Sequence, residues 1–159
     1  MNKPLILIVD DKEENRYLLR LLLEGAGLAA CYRTSYGARQ RIALFDGSQW
    51  ADLGGDFDGL ISRMVLHRGR LFVGGNFERA GDSPAAGIAM WTGTRWMPVG
   101  SGLSGGTWPG VRDMASTPEG LWVCGDFTMA GGRLCVGLGR WVGDPELLAD
   151  VSAAPHVVP

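Results

Sequence analysis

Apolar and polar positions follow two different patterns along this chain. Residues 5–9 form a continuous apolar run, which predicts a strand buried on both faces of a sheet. In residues 16–27, Leu18, Leu21 and Leu22 recur at the spacing of one helical face. The opening of the chain therefore predicts a strand followed by an amphipathic helix, as at the start of a doubly wound α/β domain.

From residue 42 onward the pattern changes to short alternating runs, which predict β-strands. The runs come in two sets of four. The first set is IALF, SQWADL, LISRMVLH and RLFVGGNF, and the second is IAMW, TRWMPV, VRDMAST and GLWVCGDF. Tight turns are predicted at Asp46-Gly47 and Thr92-Gly93, where such pairs suit hairpins. A link at residues 78–87 joins the two sets.

The two sets are similar in sequence. Trp50 aligns with Trp96 at an offset of 96 − 50 = 46, and Phe77 aligns with Phe127 at an offset of 127 − 77 = 50. An insertion of four residues around Trp108 accounts for the difference. A period of this length, with several short strands in each unit, is typical of β-propellers.

The units resemble the glycine- and tryptophan-rich propeller repeats of bacterial surface proteins and, more loosely, kelch repeats, which carry a Gly-Gly doublet like Gly74-Gly75. The predicted fold is mainly β, with about two four-stranded propeller-type blades after a receiver-like strand and helix. The predicted divisions are a βα fragment at 1–30, repeats at 31–144 with units at 42–87 and 88–137, a third unit begun at 138, and a tail at 145–159.

The first 28 residues resemble the start of a response-regulator receiver domain, the phosphoacceptor domain of two-component systems. In that family two acidic residues after the first strand help to hold Mg²⁺, and Asp10 and Asp11 match them. Two carboxylates are only part of a site for such a cation. The family also needs a lysine on its fifth strand, and no lysine follows Lys12. Asp56 is not expected to accept phosphate, since glycines precede it where the family has an apolar strand.

Composition and charge limit the classes of partner and compartment. The net charge of −2 argues against a nucleic-acid surface, which requires a clustered basic face. The apolar run at 5–9 is too short for a signal peptide or a membrane span. Three cysteines fit neither a zinc spacing nor a disulfide framework, so a reducing, cytoplasmic location is expected.

A few aromatic and histidine side chains are the remaining candidates for function. Trp50 and Trp96 occupy equivalent positions, so both are expected to be buried between strands. Trp108 lies in the insertion, where an exposed ring either stacks on a ligand such as a sugar or covers the loop. His67 has no partner at a meaningful spacing and is expected to be a surface imidazole.

The sequence favours a non-catalytic binding module that uses loops of the repeats, with Trp108 as the candidate contact. No motif of an enzyme active site is present, and no cofactor is expected beyond Mg²⁺ held by Asp10 and Asp11. The expected partners are a protein or carbohydrate ligand and a second copy of the chain, without nucleic acid or membrane. The alternatives are phosphorelay signalling and a truncated or rearranged gene product without selected function.

Overall fold

The first sheet lies at the start of the part of the chain that can be described. A computed structural model describes residues 20–23, 27–33, 39–45 and 49–143, and the secondary structure of these ranges is β throughout, with no helix. Four strands form an antiparallel sheet in chain order. They are β1 (Arg20–Leu23), β2 (Gly27–Arg33), β3 (Gln40–Phe45) and β4 (Trp50–Asp52).

Two further sheets and two smaller groups of strands follow. The second sheet contains β5 (Leu60–His67), β6 (Arg70–Asn76), β9 (Ile88–Trp91) and β10 (Trp96–Pro98). The third contains β12 (Gly110–Thr117), β13 (Gly120–Asp126) and β16 (Leu138–Trp141). The small hairpin consists of β7 (Arg79–Ala80) and β8 (Ser83–Pro84), and the small sheet of β11 (Leu103–Ser104), β14 (Met129–Ala130) and β15 (Arg133–Leu134).

The strands of the second and third sheets begin and end at a constant separation. β5 starts at Leu60 and β12 at Gly110, so the offset is 110 − 60 = 50, and the same offset relates β6, β7, β8 and β9 to β13, β14, β15 and β16. The pairing repeats as well, because a register shift between Ile61 and Arg63 recurs between Val111 and Asp113. The strands predicted between residues 42 and 127 are confirmed, and the predicted link at 78–87 contains the small hairpin β7–β8.

The second sheet draws its strands from two successive sequence units. In the second sheet β5 and β6 come from the unit at 42–87, while β9 and β10 come from the unit at 88–137. The chain passes from β6 to β9 through the small hairpin, and β9 then pairs with β6 in antiparallel register. Sequence units and hydrogen-bonded sheets are therefore out of phase by two strands.

Two apolar clusters lie on opposite faces of the second sheet. Leu71 and Val73 of β6 belong to the first cluster, and Phe72 between them belongs to the second, since side chains alternate along a strand. The first cluster also contains Ile42, Met64 and Phe77, and the second contains the corresponding Ile88, Met114 and Phe127. The second sheet is thus buried on both faces.

The second and third sheets approach closely where β6 meets β12. A side chain at Gly74 would place its Cβ 2.7 Å from a methyl carbon of Val111, so only glycine fits there without movement. At the rim of this interface the Arg63 guanidinium lies 2.6 Å from an Asp113 carboxylate oxygen. Hydrogen bonding to Arg63, together with the backbone N–H of Met114, lowers the pKa of Asp113.

The predicted helix in residues 16–27 is wrong where the structure describes this segment. Residues Arg20–Leu23 form strand β1, which pairs antiparallel with β2, so that Arg20 faces Ala30. The leucine run has a good helical propensity, but hydrogen bonding to a neighbouring strand overrides propensity in a tertiary context. The structure therefore gives no support to a receiver-like strand and helix, and β2 continues across the predicted boundary near residue 30. The predicted strand at 5–9 lies outside the described residues.

Candidate functional site

The insertion that carries Trp108 is a loop between β11 and β12. The Trp108 side chain is 75% exposed, as predicted from its place in the insertion. Its backbone N–H donates to a carboxylate oxygen of Asp126 at 2.9 Å, and the Asn76 side-chain amide donates to the carbonyl of Pro109 at 2.8 Å. These two hydrogen bonds fix the backbone on both sides of the ring, while the ring itself faces solvent.

Gly106 shows that this loop conformation depends on glycine. Its φ is +94°, and an added Cβ would lie 2.3 Å from a carboxylate oxygen of Asp126. The same carboxylate therefore approaches the chain closely at Gly106 and accepts the N–H at Trp108. Sequence reasoning identified Trp108 but not its anchors, Asp126 and Asn76. Their signal is the matching polar position before the last Phe of each copy, GNF and GDF.

Trp96 is buried as predicted, at 3% exposure. Its ring lies 5.1 Å from Phe57 and 5.1 Å from Trp91, measured between ring centroids, and its indole N–H donates to the carbonyl of Gly54 at 3.0 Å. Trp50 occupies the corresponding backbone position, because it pairs with Phe45 as Trp96 pairs with Trp91. The burial of Trp50 remains a prediction. Trp96 is thus a structural side chain whose polar atom is satisfied within the fold.

His67 is buried, at 1% exposure, and the prediction of a surface imidazole is wrong. Its Nδ1 lies 2.9 Å from the Ser116 hydroxyl, while its Nε2 is buried without a hydrogen-bond partner. The ring is enclosed because Phe72 and Trp141 pack against it. Burial, followed by the charge of Arg68, lowers the pKa of His67.

The His67–Ser116 pair resembles a base and a nucleophile, but it lacks a third group. In a catalytic dyad or triad, the base is usually oriented by an acid or amide on its second nitrogen. Here the second nitrogen, Nε2, is shielded from water and unpaired, and no carboxylate of the described residues holds the ring. The arrangement is that of an interior contact between β5 and β12.

Asp56 forms ion pairs with two arginines, and its inability to accept phosphate remains a prediction. Its carboxylate lies 2.5 Å from the Arg41 Nε and 3.4 Å from an Arg39 nitrogen, and hydrogen bonding to Arg41 lowers its pKa. The predicted metal residues Asp10 and Asp11 lie outside the described residues. In the ranges that the structure does describe, no three histidine, cysteine or acidic side chains are grouped so as to hold a metal ion.

Comparison of this chain with known proteins found no match. No protein-family model, no curated protein and no solved structure matches the chain. Over the described ranges there is also no helix of the length and apolarity needed to cross a membrane. Any interpretation of function therefore rests on the geometry of the Trp108 loop and on the sheets beneath it.

Proposed function

We propose that this chain is a non-catalytic binding module, in which the sheets are units of a propeller-type repeat and the Trp108 loop contacts the ligand. The repeat interpretation is supported by the constant offset between β5–β9 and β12–β16 and by the equivalent positions in the two apolar clusters. Stacked sheets of this kind leave their connecting loops available to a ligand.

The observation that carries the binding proposal is an exposed tryptophan on a fixed loop. Trp108 exposes most of its ring, while Asp126 and Asn76 hold the backbone around it. A tryptophan has few rotatable bonds, and a fixed loop has little conformational entropy left to lose on binding. The exposed ring is therefore suited to stack on a flat, weakly polar surface.

Two ligand classes present such a surface, namely the face of a sugar ring and a side chain of another protein. Binding of each class is measured with immobilised oligosaccharides and with a peptide array, using the full chain. Trp108→Ala is expected to abolish binding in whichever array responds, and Trp108→Phe to retain part of it. Val136→Ala is the matched control, because Val136 is similarly exposed between β15 and β16 and is not part of the loop.

The anchors provide a second arm of the experiment. Asp126→Ala removes the acceptor of the Trp108 N–H without removing the ring, so binding is expected to weaken through loss of loop order. Ligand binding that is unchanged in both Trp108→Ala and Asp126→Ala would overturn the proposal. Self-association of the chain remains a prediction, and light scattering over a dilution series measures it.

A further inference from the structure

A cavity of about 430 Å³ lies beside the edge strand β16. Its walls come from β9, β11, β13, β14, β15 and β16, and they include the residues Phe127 and Trp141. The volume falls within the range of roughly 300–1,000 Å³ found for ligand pockets. None of the lining residues belongs to the loop at 105–109, so this site is separate from the Trp108 loop.

The corresponding space one unit earlier is occupied by the side chain of Trp96. Five residues contact Trp96 there. The Gly54 carbonyl accepts its indole N–H, the Phe57 and Trp91 rings pack on it, Gly81 lies beside its Cδ1 atom, and the Ser83 hydroxyl donates to its backbone carbonyl. A tryptophan on β10 thus completes the first cluster.

All five of these positions have equivalents in the wall of the cavity. The offset of 46 relates Gly54 and Phe57 to Gly100 and Leu103. The offset of 50 relates Gly81, Ser83 and Trp91 to Gly131, Arg133 and Trp141. The backbone agrees too, because Gly81 and Gly131 have φ angles of +57° and +56°. The five positions that surround the indole ring of Trp96 therefore recur around the cavity, with Leu103 in place of Phe57 and Arg133 in place of Ser83.

The chain does not place a tryptophan at the third equivalent position. Trp50 follows Phe45 by five residues and Trp96 follows Trp91 by five, but the residue five positions after Trp141 is Glu146. Within the described residues, β16 pairs with β13 on one side and has no strand on the other, whereas its counterpart β9 pairs with both β6 and β10. Among the described residues, an unpaired strand edge and the cavity therefore lie next to each other.

We propose that this cavity binds a tryptophan side chain carried by an extended, acidic segment of another protein, which adds to the edge of β16. The register follows β10, where Trp96 faces Trp91 and Met97 faces Met90, so the incoming tryptophan faces Trp141 and the next residue faces Arg140. Strand addition supplies main-chain hydrogen bonds, and a pocket for one side chain supplies specificity.

The preference for acidic residues follows from two exposed arginines in the cavity wall. Arg133 and Arg140 both line the cavity, and both are exposed. Arg140 lies over the Trp122 ring at 5.4 Å, on the face of the third sheet opposite to Trp141, because neighbouring side chains alternate along a strand. A carboxylate directly across from Arg140 forms a favourable cross-strand pair.

The experiment uses the full chain and a synthetic peptide. The peptide has the sequence of residues 94–100 with Arg95→Glu and Met97→Glu, which keeps the tryptophan and makes both of its neighbours acidic. Calorimetry is expected to give one-to-one binding. Replacing the peptide's tryptophan with alanine is expected to weaken binding by at least about tenfold, which corresponds to about 1.4 kcal/mol. Restoring the arginine and methionine is expected to weaken it to a smaller extent.

Matched variants at Gly139 test the location. An added Cβ at Gly139 lies near the Cys135 sulfur and the Ala130 Cβ, in the wall of the cavity. The variant Cys135→Ala/Gly139→Ala reproduces the Ala85 and Ala89 pair beside Trp96 and is expected to bind the peptide. Cys135→Ala/Gly139→Leu fills the space and is expected to lose binding, while a thermal melt checks that it is folded.

Two results would overturn the proposal. One is binding that is equal for the tryptophan and alanine peptides, since the cavity would then not be the contact. The other is an absence of binding between the tryptophan peptide and the full chain. Light scattering then shows whether a second copy of the chain covers the site. If the Gly139→Leu variant does not fold, the comparison of the tryptophan and alanine peptides still decides the outcome. A failure of the Trp108 loop to bind a ligand would leave this proposal unaffected.

Discussion

The imidazole Nδ1 of His67, on β5, lies 2.9 Å from the hydroxyl oxygen of Ser116, on β12, and this contact links the second sheet to the third. The ring lies against Phe72 of its own sheet and Trp141 of the third sheet, with centroid distances of 6.0 and 6.1 Å. An ionisable group therefore sits inside the interface between two sheets.

The stability of the folded chain is expected to fall as the pH decreases below the ordinary pKa of histidine. The pKa of His67 is lowered by burial and by Arg68, so the folded chain binds this proton more weakly than the unfolded chain. The contribution of His67 is therefore complete above the unfolded pKa of about 6.5 and is lost as the pH falls towards the folded pKa. Urea unfolding between about pH 5 and pH 8 measures the slope.

The histidine variants assign this slope to a residue. His67→Gln is expected to flatten the profile, whereas His156→Gln, at the only other histidine of the sequence, is expected to leave it unchanged. Equal slopes for the wild-type chain and His67→Gln would contradict the expectation.

Removal of the Trp96 ring is expected to be far more costly than removal of the Trp108 ring. Trp96→Ala empties a space between Phe57 and Trp91 and leaves the Gly54 carbonyl without its donor, so a loss of about 3–5 kcal/mol in the free energy of unfolding is expected. Trp108→Ala removes an exposed ring and should change the free energy of unfolding by about 0.5 kcal/mol or less. Denaturant melts compare the two, and similar losses would mean that Trp108 packs against the fold.

A methyl group at Gly74 is expected to push apart the second and third sheets. Its Cβ would lie 2.7 Å from Val111, so Gly74→Ala should destabilise the chain by about 1–3 kcal/mol. Cys124 occupies the equivalent position on β13 and is only half-buried, so Cys124→Ala should cost about 0.5 kcal/mol or less. If the double variant Gly74→Ala/Val111→Ala recovers stability, the loss in Gly74→Ala comes from the clash with Val111. If it does not recover, the loss comes from the backbone at Gly74.

The Asp56 carboxyl is expected to titrate more normally when Arg41 is removed. Its pKa is held down first by the hydrogen bond from Arg41 and also by Arg39, which favours the ionised form. Asp56 therefore stabilises the fold at pH values above its unfolded pKa, and this contribution is lost as the pH falls through the lower folded pKa. NMR titration of Asp56 should show a higher pKa in Arg41→Met than in the wild type. A smaller rise is expected in Arg39→Met, because Arg39 is the more distant partner.

Sequence patterns predicted the strands of the repeated part well. Alternation and turn residues placed β5 at the residues where it occurs, and the Arg68-Gly69 turn has the positive φ angles, +50° and +76°, that a tight hairpin needs. The same approach failed at Arg20–Leu23, because a leucine run satisfies both a helix and a strand, and pairing with β2 is a long-range effect.

The side-chain environments were harder to predict than the strands. His67 ends a strand next to a turn, a position typical of the surface, and only the packing of β12 and Trp141 against β5 encloses it. The exposure of Trp108 could be predicted from the alignment of the copies, whereas its anchoring by Asp126 depends on distances that no alignment contains. The cavity beside β16 likewise becomes recognisable only when the surroundings of Trp96 are compared with those of the next unit.

The phase difference between sequence units and sheets predicts that one unit length can be removed from any point along a unit. Removal of residues 54–99, a length of 99 − 54 + 1 = 46, would join Leu53 directly to Gly100. Gly100 would then stand where Gly54 stood, with the same left-handed backbone, and β5 and β6 would be replaced by β12 and β13. Excision therefore need not respect the edge of a sheet, provided that the excised length equals one unit, because the junction joins residues that occupy equivalent positions in successive units.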